Sequence, residues 1–423
     1  MSHSIRAGWV VAAAITCLVA CEERKPKSAA KGEEATKAAP ARVQGVTDTT
    51  IKVGSYGPLS GPAAAWGVVQ RSLEAYFAFI NDQGGIHGRK IEFVYRDDGY
   101  SPAKTPGVVR ELVEKEQVFA MVGGIGTANG RAVADYLDQK GIPVFTPATG
   151  DAFFGSGEKK NTYTAFLPYA VEGQIIGEYI AKELRSLKVG VLYQDDDFGA
   201  QGVEGLTKGL EKFGGAVQVK VSCLPTDTDL SGQVSQIASS APEVLVIFTA
   251  PKQAIMAVKQ LHAMKKKPHI LTSYVLMDPI MFKLAGAEVW DGTISSAVTP
   301  LGDDEVPQVV KFREILEKYG EGKLPIGAFS MAAFAIGVPF VEALERAGKD
   351  LTPAKLYEAL ESLKGFDEAG PYIEGGGFSP VLTFGKGDHQ GPDSLYFVRG
   401  EGGKWVKASD WITFEGAKKE ATK

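Results

Sequence analysis

The feature that most constrains this chain is an alternation of short β-rich runs with helical stretches, begun at Thr50 and started afresh at Lys188. In the first set TIKVGSYG, KIEFVYRDD, VFAMVGG and PVFTP are strand-like. Between them Trp66 to Asp82, Thr105 to Glu116 and Asn129 to Gln139 carry apolar residues at helical spacing. In the second set KVGVLYQDDD, AVQVKVS, EVLVIFTA and HILTS are separated by helical patterns over residues 200–213, 230–239 and 252–265. Strands that alternate with helices form parallel sheets covered on both faces, because each crossover returns over the sheet. Two such sets predict an α/β protein of two lobes. A long apolar helix over Ala328 to Ala347 follows, then a β-rich tail at Leu382 to Phe384, Leu395 to Val398 and Trp405 to Ala408. Such sheets bind ligands beyond the carboxyl ends of their strands, so the cleft between two of them is the expected site.

The N-terminus obeys other rules. Arg6 precedes an apolar run from Ala7 to Ala20, shorter than the ~20 residues that span a bilayer and suited to the core of an export signal. The run ends Leu18-Val19-Ala20-Cys21, which resembles the lipobox of bacterial lipoproteins; Cys17 does not fit, because Thr16 is too large for the position before it. Residues 1–20 are therefore expected to be a lipoprotein signal peptide and Cys21 the lipidated residue. The alternatives are a chance cysteine in an ordinary signal, or an uncleaved anchor. From Glu22 to Gly45 the chain is Lys, Glu, Ala and Pro, a composition that cannot offset ordering entropy by burial. Residues 21–47 thus read as a lipidated tether, and the expected location is extracytoplasmic and membrane-anchored. Of three cysteines only Cys223 would remain free, too few for a disulfide. Its apolar, alternating neighbours point to a buried strand residue rather than a nucleophile.

Several function classes drop out. A net charge of −5 with scattered lysines leaves no basic footprint for nucleic acid. There is no HExxH, CxxC, GxxxxGK[ST] or GxSxG, and His3, His87, His262, His269 and His389 are far apart in sequence; no enzyme, metal or cofactor is predicted. Asp195-Asp196-Asp197 stands at a strand-to-helix turn and reads as capping and polar lining rather than as a metal site. The turn GGIGTANG spaces Gly124, Gly126 and Gly130 as G-x-G-x-x-x-G, which fails the dinucleotide fingerprint. Two readings of it stay open, an anion site or a bare helix cap. Thr127 and Asn129 lie where free N–H groups and the positive end of a helix dipole favour negative charge.

Taken in order, IKVGSYGPLSGPAAAWG, NDQGGIHGRKIEFVYRDD, VGGIGTANG, GIPVFTPATG, VGVLYQDDDFGAQG and GAFSMAAFAIGVPFVEALERAG resemble the leucine/isoleucine/valine-binding family of ABC-transporter substrate-binding proteins. The resemblance covers Thr50 to about Gly400. It implies the type I periplasmic binding fold, two Rossmann-like lobes with parallel-rich sheets joined by a three-strand hinge, closing on a ligand as a Venus flytrap. Thr127 then occupies the position whose hydroxyl holds a ligand carboxylate, Ala148 the position that offers backbone N–H, and Trp66 that of an aromatic covering the ligand. Phe198 and Phe329 fall where aromatics line the side-chain pocket. Trp66 as a loop anchor and Phe329 as plain core remain open. Thr149 and Gly150 follow Ala148 in a second anion-binding turn, with Gly150 standing where the family usually has a hydroxyl residue.

Other departures bear on the ligand. The acid that pairs with an amino acid's ammonium aligns on Tyr274, and an aromatic near the amino end aligns on Ala250. The family's cysteine pair is Gly99 and Gly126 here. An ammonium buried without a carboxylate is unfavourable, so Asp151, Asp197 or Asp278 would have to substitute, or the ligand lacks an amine.

The expected protein is a monomeric, lipid-anchored solute-binding subunit whose partner is an inner-membrane ABC permease. Its ligand is expected to be a branched-chain or related amino acid, or another small carboxylate. A sensor or chemoreceptor feeder of the same fold is the alternative, since the partner sets the output. The same alignment divides the chain into lobe one at 48–166 and 298–372, and lobe two at 167–297 and 373–423.

Overall fold

A computed structural model describes residues 43–367, 373 and 381–414. Five parallel strands form the first sheet: β1 (Thr50–Gly57), β2 (Lys90–Asp97), β3 (Ala120–Val122), β4 (Val144–Phe145) and β5 (Thr162–Tyr163), in the order β2-β1-β3-β4-β5. The second contains β6 (Lys188–Gln194), β7 (Ala216–Cys223), β8 (Val244–Phe248), β9 (His269–Thr272), β10 (Ile294–Ala297), β11 (Ser394–Glu401) and β12 (Lys404–Lys407), ordered β12-β11-β10-β9-β8-β6-β7. The short β13 (Ile412–Thr413) pairs with β11. β6 to β10 run parallel, whereas β11 is antiparallel to β10 and to β12. All five residues of central β8, VLVIF, are buried, as a strand covered by helices on both faces requires. This is the two-lobed α/β architecture.

The helix Ala328–Ala347 is long and apolar enough to cross a membrane, but here it is a core element of the first lobe. Its Phe334 stacks on Phe312 at 3.7 Å and meets Tyr76 edge-on at 5.5 Å. In the second lobe, helices Tyr169–Tyr179 and Asp197–Glu211 touch backbone to backbone. A Cβ on Gly205 would lie 2.0 Å from the Ala170 carbonyl oxygen, on Gly209 2.2 Å from that of Gln174, and on Gly173 2.3 Å from that of Gly202. Glycine, usually unfavourable inside a helix, is here the residue that permits the contact. The apolar, glycine-bearing segment 169–179 gave no clear helical signal for the same reason.

Four expectations are corrected. The segment from Val43 to Thr47 is not tether: Gln44 donates to the carbonyls of Val113 and Val118, Lys52 N–H donates to Gly45, and Val46 pairs with Ile51. The helix expected over Thr105 to Glu116 is an α-helix only to Arg110, followed by a π turn over Glu111–Lys115. Leu382 to Phe384 forms one bridge, Phe366 with Leu382, rather than a strand. Finally, residues 382–390 pack on the first sheet, not the second. Gln390 bridges to Thr164, Phe384 meets Phe145 and Tyr163, and the buried His389 stacks on Tyr163 at 3.9 Å. The third passage between lobes therefore lies between Gln390 and Ser394. The signal at 1–20, Cys21 and most of the glycine-rich stretch 373–380 lie outside the described residues. Cys223 is a buried strand residue, and burial pushes its thiol up to about 12.

Candidate functional site

Both lobes contribute to one cavity at the carboxyl ends of their strands, with room for about 70 Å³ of water-molecule centres. At roughly 10–15 Å³ for one water, it accommodates several waters or one small organic molecule. Trp66, Thr127, Ala148, Thr149, Phe198, Tyr274 and Phe329, expected from sequence, all line it. Asn129, Asp151, Asp197, Ala250 and Asp278 do not.

The first turn is built by backbone geometry. Gly123 and Gly126 adopt φ of 68° and 109°, conformations that glycine takes without the penalty of a Cβ. They turn the chain from β3 into the helix Thr127–Lys140, which no side chain caps at its start. Asn129 faces away from the cavity, its amide donating to Asp98 (2.8 Å) and Thr105 (2.9 Å). The adjacent Asp97 accepts from Leu59, Ser60 and Gly99. Burial opposes its charge, but these donors hold its carboxyl below the usual range. The aspartate pair is thus scaffolding for the turn.

The second turn corrects one assignment. Ala148 N–H is already bonded to the Gly124 carbonyl at 2.7 Å, so this position lines the cavity without offering a donor. What the turn does offer is Thr149, whose hydroxyl lies 2.6 Å from that of Thr127. Tyr169 extends the cluster: its backbone N–H donates to the Gly150 carbonyl at 2.7 Å, and its side chain lines the cavity with Thr149. Burial pushes the Tyr169 phenol up to about 12 and raises that of Tyr274 well above its ordinary value. Both stay neutral at ordinary pH. The polar end of the cavity is therefore a set of hydroxyls beside an uncapped helix start.

The remainder is aromatic. Phe166, Tyr274, Tyr169 and Phe198 form a row, with centroids 6.1, 5.8 and 4.6 Å apart in succession. Trp66 and Tyr100 meet edge-on at 5.2 Å in another wall. Tyr100, Phe166 and Tyr169 were missed from sequence. Tyr100 lies three residues past the carboxyl end of β2, the signal that points at a cleft, and it holds a left-handed φ of 58°, a strained conformation for a bulky residue that clusters at binding sites.

The lobes are closed, and several bonds cross between them. Trp66 Nε1 donates to the Val275 carbonyl at 3.1 Å, and Gln194 donates to the Tyr100 hydroxyl at 3.3 Å. At the rim Arg131 pairs with the fully buried Asp151 (2.5 and 3.0 Å) and with Asp197 of the other lobe (3.3 Å), while Gln201 donates to Asp151 at 2.6 Å. Asp278 accepts from Ile280 N–H and, across the cleft, from Phe329 N–H at 3.0 Å near the start of the helix Ala328–Ala347. Each acid that might have received an ammonium is engaged elsewhere. Asp196 caps its own helix through Phe198 and Gly199 N–H, and among the described residues no group of His, Cys, Asp and Glu suits a metal.

One further acid stands behind the aromatic row. Glu172, fully buried, accepts from the hydroxyls of Ser273 (2.9 Å) and Ser296 (2.5 Å) and from Tyr274 N–H (2.8 Å). Burial outweighs these donors and raises its carboxyl from 4.5 to about 7. Between those values the native protein holds a proton that the unfolded chain has released. This contribution to stability is complete below the lower value and is lost as pH rises through the upper one. Glu172→Gln is expected to flatten the fall in urea-unfolding free energy across this window, and an unaltered slope would count against the assignment.

A two-lobed α/β body with a cavity lined from both lobes defines a class: binding proteins that enclose a small molecule between lobes. The sequence profile of the family described as periplasmic binding protein matches residues 50–404. The chain belongs to the periplasmic binding protein family, which binds solutes and is not enzymatic. It is 23% identical over 369 residues to a Leu/Ile/Val-binding protein homolog of Brucella abortus, covering 85% of this chain and 94% of that one. A fatty acid ABC transporter substrate-binding protein from Thermomonospora curvata superposes with a TM-score of 0.78 at 23% identity, covering 90% of this chain and 96% of that one. A solute-binding protein from R. palustris in complex with benzoate gives 0.74 at 22%, covering 86% and 98%.

Proposed function

We propose that this protein is the extracytoplasmic solute-binding subunit of an ABC importer and encloses a small carboxylate between its lobes. The observation that carries this reading is the cavity itself: lined from both lobes, apolar over most of its wall, and polar at one end where Thr127 and Thr149 sit at an uncapped helix start. Hydroxyl and backbone N–H donors at the positive end of a helix hold an anion without a cationic side chain. Trp66, Phe198, Tyr274 and Phe329 would cover the rest of the ligand. The named ligands of similar proteins, branched-chain amino acids, fatty acids and benzoate, share a carboxylate and an apolar body.

In this reading the protein works as a monomer held to the membrane through Cys21, and its closed form is what the permease recognises. Among the described residues, lobe one comprises 43–166, 298–367, 373 and 381–391, and lobe two 167–297 and 392–414. The test is a melting-temperature screen with small carboxylates. A ligand at a hundred times its Kd stabilises by about 2.7 kcal/mol, a readily measured rise; no rise with any member would overturn the reading. Thr127→Ala is expected to weaken the best ligand by about 10- to 100-fold, the worth of one hydrogen bond to a charged group. Unchanged affinity in titration calorimetry would remove Thr127 from the anion end.

A further inference from the structure

Accepting that the cleft binds a carboxylate, we propose that it selects against an amine: the ligand is an apolar, amine-free acid, and Tyr274 seated over Gly150 sets that selection. An α-ammonium is two bonds from its carboxylate carbon, so it must lie close to the hydroxyl end formed by Thr127 and Thr149. The side chains around that end are Tyr169, Tyr274 and Tyr100, all neutral, and none of the described residues that line the cavity is Asp, Glu, Lys or Arg. The acids nearby are each committed: Asp151 to Arg131 and Gln201, Asp197 to Arg131, Asp278 to the helix at Phe329, and Glu172 to Ser273 and Ser296 behind the wall.

Tyr274 and Gly150 act as one unit. The Tyr274 hydroxyl donates to the Leu167 carbonyl at 3.0 Å. That bond uses the carbonyl and aims the phenol proton away from the ligand. A Cβ on residue 150 would stand 2.4 Å from the same hydroxyl and 2.3 Å from Leu167 O. The absence of a side chain at 150 is therefore what admits the tyrosine hydroxyl, and the tyrosine stands as an uncharged wall of the cavity. With no charged side chain in the described lining, a cation–π contact is the strongest attraction that the aromatic walls offer a cation. Trp66 and Tyr100 meet edge to face, and a primary ammonium, strongly hydrated, loses more on burial than the roughly 2 kcal/mol that such a contact returns.

Titration calorimetry with pairs that differ only by the amine tests the selection: 4-methylpentanoate against leucine, and 3-phenylpropanoate against phenylalanine, with trimethylglycine as a cation–π probe. The amine-free member of at least one pair is expected to bind 100-fold or more tighter than its partner. Equal binding within both pairs, or trimethylglycine binding as tightly as the amine-free acids, overturns the selection and leaves the carboxylate reading intact. Failure of every acid in the melting-temperature screen removes that reading, and the selection with it. A second arm isolates the residue. Tyr274→Glu, with its fold checked by near-ultraviolet circular dichroism, is expected to narrow the preference at least tenfold, and Tyr274→Gln serves if the glutamate variant does not fold. A preference unmoved in the folded variant overturns the role of Tyr274.

Discussion

Gly205→Ala is expected to lower the melting temperature by several degrees, although alanine is the better helix former. Propensity alone favours the substitution by about 1 kcal/mol. Against it stands a Cβ placed 2.0 Å from the Ala170 carbonyl oxygen, a backbone atom that cannot move without its helix. The two helices would have to part over their glycine-bearing seam, and overpacking costs about 1–3 kcal/mol, a clash with rigid backbone standing at the upper end. Sterics should win. Gly232, in the helix Ser231–Ser240, has open space where its Cβ would go, and Gly232→Ala is expected to be neutral or slightly stabilising. Differential scanning calorimetry on both variants decides the matter; a Gly205→Ala protein as stable as the parent would show that the helices are not so close.

Arg131→Ala should cost about 3 kcal/mol and weaken ligand binding at a site its side chain does not touch. Asp151 is wholly buried, and Arg131 supplies its only cationic partner among the described residues. Removing one member of such a pair strands the other, though the 37% exposure of the guanidinium side chain keeps the loss at the low end of the usual range. Thr149 accepts from Asp151 N–H, so disturbance of Asp151 reaches the hydroxyl end of the cavity. Because Arg131 also bridges to Asp197 of the other lobe, closure loses a bond as well. Adding Asp151→Asn should restore part of the stability, since a neutral amide tolerates burial and can still bond Gln201. Denaturant unfolding of the single and double variants measures both effects, and equal stability of the two would refute the stranded-charge account.

Strand and helix rhythm made most of the fold legible, and the helix Ala328–Ala347 matches its predicted limits. The helix Tyr169–Tyr179 was hidden because Gly173 and Gly177 read locally as breakers, whereas their purpose lies in another helix. Tyr169 was hidden with it. All seven pocket residues named from sequence reached the cavity, because strand ends and family order fix position. What they do there was less legible. Ala148 N–H and the Asn129 amide are both consumed by partners remote in sequence, Gly124 for one and Asp98 and Thr105 for the other. Hydrogen-bond bookkeeping of that kind belongs to three dimensions. The return of residues 382–390 to the first sheet depends likewise on a stacking of His389 on Tyr163 that no local pattern announces.

The bond from Phe329 N–H to Asp278 makes the start of a twenty-residue helix in one lobe depend on a side chain carried by the other. Swinging the lobes apart exposes that N–H to solvent and frees a carboxylate, so part of the closing free energy comes from the protein itself and not from its cargo. An unloaded molecule is thereby drawn toward the shape that a docking permease would take for a loaded one. The strength of this cap, together with the other bonds between the lobes, bears on how faithfully closure can report cargo: too firm, and empty carriers would present themselves at the membrane; weaker, and the ligand would govern more of the signal.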